Sequence, residues 1–126
     1  MTKLDETSQE ALRARLQARM AKERVRIQED REAGESALSE LLPVALSDTG
    51  QSGVVAKFLL GLYNGRRFPF DLTEFRRLDR KLFENCQAVL AMDFQPEREI
   101  HKYFEDGGRI FESLAATWYP SQSNEF

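Results

Sequence analysis

Apolar positions recur along this chain at helical spacing, and no stretch alternates as a half-buried strand would. The pattern predicts six helical segments. The first covers about residues 5–32, contains no Gly or Pro, and is rich in the good helix formers Ala, Leu, Arg, Gln and Glu. Leu12, Leu16, Met20 and Ile27 share one narrow stripe, which Glu23 and Asp30 interrupt, so a sustained coiled-coil seam is not expected. Gly34 is the predicted stop. A short second helix, ESALSELLPVAL, has an apolar side of Leu38, Leu41, Leu42 and Leu46, with Pro43 expected to kink or split it. SDTGQSG reads as a loop.

The third segment, VVAKFLLGLYN, is apolar around most of its circumference, the mark of a central buried helix. Asn64–Gly65 should end it. The fourth has the clearest start signal, with Asp71 as cap, Glu74 three residues on, and Phe70 and Phe75 placed as a hydrophobic staple. Its apolar face is Phe75, Leu78, Leu82, Cys86, Val89 and Leu90. DFQPEREIHKYF predicts a fifth helix with Pro96 near its first position and Ile100, Tyr103 and Phe104 buried. Gly107–Gly108 divides it from a sixth that buries Ile110, Phe111, Leu114 and Trp118. The expected fold is therefore all-α: a compact bundle of about five short helices with a long charged N-terminal helix. The expected divisions are a charged helix over 1–33, a compact domain over 34–119 and a flexible tail, PSQSNEF, over 120–126.

Composition narrows the function classes. The chain has 126 residues, 41% of them hydrophobic, enough for one domain with its own core. The single cysteine, Cys86, has no internal partner, and the polar N-terminus lacks the apolar core of a signal peptide, so a cytoplasmic protein is expected. No run of residues is long and apolar enough to suggest a membrane span. One His and one Cys are too few for an ordinary zinc site, and no loop has the calcium-binding pattern. No glycine-rich loop cradles phosphate, and nothing calls for a cofactor. Catalysis lacks support: His101, the one histidine and so the candidate general base, has no nucleophile paired with it in sequence, and Cys86 falls on an apolar helix face. The sixth segment, RIFESLAATWY, is too apolar for a recognition helix.

What remains is charge. The net charge of −3 argues against a surface that binds nucleic acid everywhere. Yet six bases and one acid lie between Arg13 and Arg26, and beyond residue 82 eight acids face three bases. Arg15, Arg19, Lys22 and Arg26 fall within about 60° of one another on a helix. They form either a contact surface or a solvated face beside an apolar seam. A second cluster comprises Arg66, Arg67, Arg76, Arg77, Arg80 and Lys81. Arg66 and Arg67 follow a helix stop, where loop side chains serve binding. Phe68 and Phe70, on either side of Pro69, could stack bases beside those arginines or plug the loop onto the third helix. The candidate partner-binding residues are Arg66, Arg67, Phe68, Arg15, Arg19, Lys22 and Arg26.

FLLGLYNGRRFPFDLTEFRRLDRKLFENCQAVLAMD and the later EIHKYFEDGGRIFESLA resemble a family of small uncharacterised proteins encoded on plasmids and integrative elements of proteobacteria. The likeness covers roughly residues 54–118, and YNGRRFPFDLTE and YFEDGG are its most specific parts. It implies a bacterial helical protein linked to horizontal transfer, and it carries over no catalytic residue. The functional expectation is a non-enzymatic protein that docks to a protein or ribonucleoprotein, for instance an inhibitor of host defence. The alternative is a nucleic-acid-associated regulator that uses the basic patches of the first and fourth helices.

Overall fold

A computed structural model describes the backbone of residues 2–123 and the side chains of residues 5–121. Five α-helices follow one another: α1 (Thr2–Ala45), α2 (Gly50–Tyr63), α3 (Arg80–Phe94), α4 (Gly107–Trp118) and the single turn α5 (Pro120–Ser123). Two 3-10 turns, Leu72–Arg77 and Ile100–Tyr103, lie in the connections, and there is no strand among the described residues. The all-α architecture with a long N-terminal helix is thus present, but the segments join differently.

The break expected at Gly34 does not exist. The first two segments form one helix that runs through both Gly34 and Pro43. Gly34 is buried, and a Cβ there would overlap the side chain of Met92. Its lack of a side chain lets α1 and α3 approach, and that packing outweighs a propensity cost of about 1 kcal/mol. Leu38, Leu41, Leu42 and Ala45 are buried, whereas Leu46, expected with them, lies past the last turn in solvent.

α2 is the central helix, as its hydrophobicity predicts: Val54, Val55, Ala56, Phe58, Leu59 and Leu60 are all buried. It begins four residues before the predicted start. Thr49 and Ser52 form a reciprocal capping box inside the stretch read as loop, and this satisfies the buried Ser52 hydroxyl. α2 packs on α1 and α4, while α1 packs most extensively along α3.

The fourth predicted helix starts late. Asp71 accepts from the Thr73 amide and hydroxyl, both within 2.9 Å, and so caps only a 3-10 turn. Glu74 pairs forward with Arg77 rather than back to the cap, so no capping box forms. The α-helix begins after Asp79, whose carboxylate takes the Leu82 amide at 2.9 Å and whose own amide donates to Gln51 of α2. Cys86 and Val89 are buried on its inner face with Met92, but Leu90 is turned outward.

The fifth predicted helix is only the turn Ile100–Tyr103. Pro96 does not start it; Pro96 forces Gln95 out of helical geometry (φ −127°, ψ 79°) and so ends α3. Ile100 is nevertheless buried as expected, whereas Tyr103 and Phe104, expected with it, are only half-buried. Gly107 is the first residue of α4, following Asp106 in the left-handed region (φ 61°), and no side chain fits at Gly107 against the His101 carbonyl. Of the expected tail, residues 120–123 form α5, and 124–126 lie outside the described residues.

Candidate functional site

The bases of the first helix lie on an arm. Every residue from 5 to 26 is exposed, a stretch of roughly 30 Å at 1.5 Å per residue. The core begins to cover α1 only at Ile27, and Arg31 then bridges to Glu97 near the end of α3 at 3.3 Å. Ile27, Gly34, Leu38, Leu41 and Ala45 lie on the face that packs inward. Leu12, Leu16 and Met20 continue that face in line, with 55%, 45% and 56% of their surface in solvent. The inner face therefore runs off the end of the core uncovered, with Glu23 interrupting its apolar line between Met20 and Ile27.

Bases line both edges of the uncovered seam. Arg15, Arg19, Lys22 and Arg26 follow one edge, and Arg13 and Arg24 the other. None of these six makes an ion pair among the described residues. Where the arm leaves the core, Glu23, Arg26, Ile27 and Asp30 border a hollow of about 350 Å³ whose far wall is Met92, Gln95 and the exposed Phe94. Phe94 could not be assigned to this place from sequence, since it looks there like one more apolar helix residue.

The loop after α2 carries the other candidates, and the structure separates their roles. Arg66 is exposed. Arg67 is half-buried and forks onto Glu112 of α4, at 2.7 Å from Nη1 and 3.1 Å from Nη2. The Tyr63 hydroxyl donates to the same carboxylate at 2.5 Å. The hydrogen bonds from Arg67, then from Tyr63, hold the Glu112 carboxyl below its usual range. Burial first, and then Glu112, pushes the Tyr63 phenol up. Arg67 is thus part of a latch between α2, its loop and α4.

Phe68, also a candidate partner contact, is wholly buried, so its ring presents no surface to solvent. Its ring packs on Tyr119 at 5.0 Å and lies beneath the Arg67 guanidinium at 4.6 Å. The plug reading holds for this residue, because Asn64 ties the loop inward by accepting the Arg67 amide on its side chain and the Phe68 amide on its carbonyl. Of the second basic cluster, Arg77 pairs with Glu74 and Lys81 with Glu40.

The residues with reactive potential lie elsewhere. His101 is half-buried, its ring near perpendicular to that of Tyr63 with centroids 5.1 Å apart, and its Nδ1 has no hydrogen-bond partner among the described residues. Cys86 is buried in the core, where loss of solvent pushes its thiol up to about 12. Among the described residues no group of three or more His, Cys, Asp or Glu could hold a metal, and no helix is long and apolar enough to cross a membrane.

No curated protein and no solved structure matches the chain. Residues 35–119, well over half of the sequence, match the Family of unknown function (DUF7673); they begin just beyond the arm, and the chain belongs to that family.

Proposed function

We propose that this protein acts without catalysis, by docking to a macromolecular partner through the arm of α1. The observation that carries the reading is the apolar seam of Leu12, Leu16 and Met20, uncovered and edged on both sides by unpaired bases. Water-exposed apolar side chains in a row gain most from a second surface, and the flanking charges set what that surface must be. Two such arms would bring like charges together along both edges, so the partner is an acidic protein or ribonucleoprotein rather than another arm. The partner and the protein meet in the bacterial cytoplasm. The likeness to proteins of plasmids and integrative elements supports a mobile-element setting, and an inhibitor of a nucleic-acid-guided defence complex is the specific form of the proposal.

The second reading, a nucleic-acid-associated regulator, draws on the alignment of Arg15, Arg19, Lys22 and Arg26. Two arm variants separate the readings: Leu12, Leu16 and Met20 changed to Ser, and the four bases changed to Gln. Affinity capture from the host followed by mass spectrometry should give a partner that the native chain keeps after nuclease treatment and that both variants lose. A partner retained by both variants sinks the proposal. Loss only in the base variant, with capture abolished by nuclease and falling steeply with salt, favours the second reading.

A further inference from the structure

A groove opens on the core beside the loop that carries the latch, with Phe68, under Arg67, in its lining. Phe58, Gly61 and Leu62 of α2 form one wall, Pro69 and Phe70 of the loop another, and Leu72, Phe75 and Leu90 border its mouth. Its volume is about 220 Å³, and every residue that lines it is apolar or glycine. That is smaller than the roughly 300–1,000 Å³ of small-molecule sites, and it lacks the convergent polar groups such sites use. It has the size and chemistry to take one large side chain. Leu72 and Leu90, 72% and 41% exposed, stand at its edge with Pro69, also in solvent. Scattered exposed leucines need no explanation, but these converge on one opening.

The charges around it are mainly basic, with Asp71 as an acid beside Arg76. The six bases of the Arg66–Lys81 cluster divide into two sets. Arg67, Arg77 and Lys81 are paired to Glu112, Glu74 and Glu40. Arg66, Arg76 and Arg80 are exposed and make no ion pair among the described residues. Arg66 follows Gly65 in the groove wall, while Arg76 and Arg80 border the hollow that shares Phe75 with it. The acid at the mouth, Asp71, is turned to the Thr73 amide and hydroxyl.

We propose that this groove is a docking site for an acidic peptide segment anchored by one large apolar side chain. The anchor fills the groove, and carboxylates on either side meet Arg66, Arg76 and Arg80. Single-stranded nucleic acid fits less well. Phe58, Phe70, Phe75 and Phe83 pack on one another at 5.0–5.8 Å, tilted or edge to face, so their ring faces are occupied within the cluster rather than offered to bases. The arm of a second copy has an apolar seam but basic edges, which the basic rim repels.

The test uses the full chain and fluorescent peptides of about twelve residues, with a central Leu, Phe or Trp in an Asp/Glu-rich background. Controls replace the acids by Lys or the anchor by Ser. The acidic anchored peptides should bind, and both controls should bind about tenfold more weakly or not at all. Arg66→Ala with Arg76→Ala and Arg80→Ala, and separately Leu72→Ser with Leu90→Ser, should each weaken binding about tenfold with an unchanged unfolding midpoint. The arm base variant should bind the peptides normally, so a failed arm leaves this site standing and the reverse. Acidic anchored peptides that bind no better than the controls, or equally to the groove variants, overturn the proposal. So does an oligodeoxythymidine that binds at the groove in their place, or self-association that Leu72→Ser abolishes.

Discussion

Arg67 and Phe68 are neighbours in sequence that do opposite work from what their loop position suggests. A loop arginine beside an aromatic reads as a contact, but Glu112 and Tyr119, some fifty residues on, claim both side chains. Nothing local announces those partners, which is why this part of the candidate site was not legible. Arg66, one residue earlier, reads the same in sequence and stays in solvent. Denaturant unfolding should therefore rank three single changes. Phe68→Ala should cost about 3–5 kcal/mol, as a large aromatic deleted from a core does. Arg67→Ala should cost no more than about 1 kcal/mol, because its pair with Glu112 is partly solvated. Arg66→Ala should leave the midpoint in place. The latch also has a pH signature. Because the folded Glu112 carboxyl lies below its ordinary value, its stabilisation is present above that value and is lost as pH falls through the folded one. The stability gap between the native chain and Glu112→Ala should close in acid, below about pH 4. Cys86 gives a second residue-scale check, since a thiol held near 12 in the core is neutral and covered. At about pH 8 it should react with a disulfide reagent only as fast as the chain opens. Rapid reaction in the native state would place Cys86 at the surface.

The elements were legible wherever a periodic apolar face met a matching core, and misread wherever a breaker residue was given only its local meaning. α2 and α4 form where their apolar patterns place them, though each begins earlier than predicted and Ile110 and Trp118 are only half-buried. Gly34 and Pro96 do not act as expected: Gly34 is set by Met92, its neighbour in space, and Pro96 ends α3 instead of starting a helix, while Pro43 lies within α1 and does not split it. Gly34 makes the point testable. On propensity alone, Gly34→Ala should stabilise a helix interior by about 1 kcal/mol. In this fold the new Cβ meets the Cβ of Met92, which cannot swing away as a side-chain tip could. The substitution should instead destabilise, by about 1–3 kcal/mol as overpacking does, and Met92→Ala should cost less in its presence than alone. A stabilised Gly34→Ala would mean that α1 and α3 stand farther apart. The start of α3 offers a parallel comparison. Asp79 caps an α-helix and Asp71 only a 3-10 turn, so Asp79→Ala should cost about 0.5–2 kcal/mol and Asp71→Ala less. In sequence Asp71 looked the better cap, since Glu74 stands where a capping box would place it; the forward pair from Glu74 to Arg77 was the missing information.

At the scale of the whole molecule, one helix serves two solvents. From Ile27 onward the inner face of α1 is covered by the core, and before it the same face meets water. A charged N-terminal helix was readable from composition, but its continuity with the core was not, because it depends on Gly34 being an approach point and not a stop. That continuity changes where the chain can be cut. Removing residues 1–32 would take away Ile27, the half-buried Asp30 and the Arg31–Glu97 bridge, so it would disturb the core edge. Removing residues 1–26 takes only side chains that are exposed or lie outside the described ones. The shorter truncation should therefore unfold cooperatively with a midpoint close to that of the full chain, while the longer one should be measurably less stable. Equal stability of the two would mean that Ile27 and Arg31 contribute nothing to the core edge. A large loss in the shorter one would mean that the arm folds back on the body. The same truncation bears on function. If the seam of Leu12, Leu16 and Met20 is the docking surface, the protein without residues 1–26 should keep its fold and lose its macromolecular partner, while acidic anchored peptides still bind the groove at Leu72 and Leu90. Loss of peptide binding together with the partner would show that arm and groove form one surface rather than two.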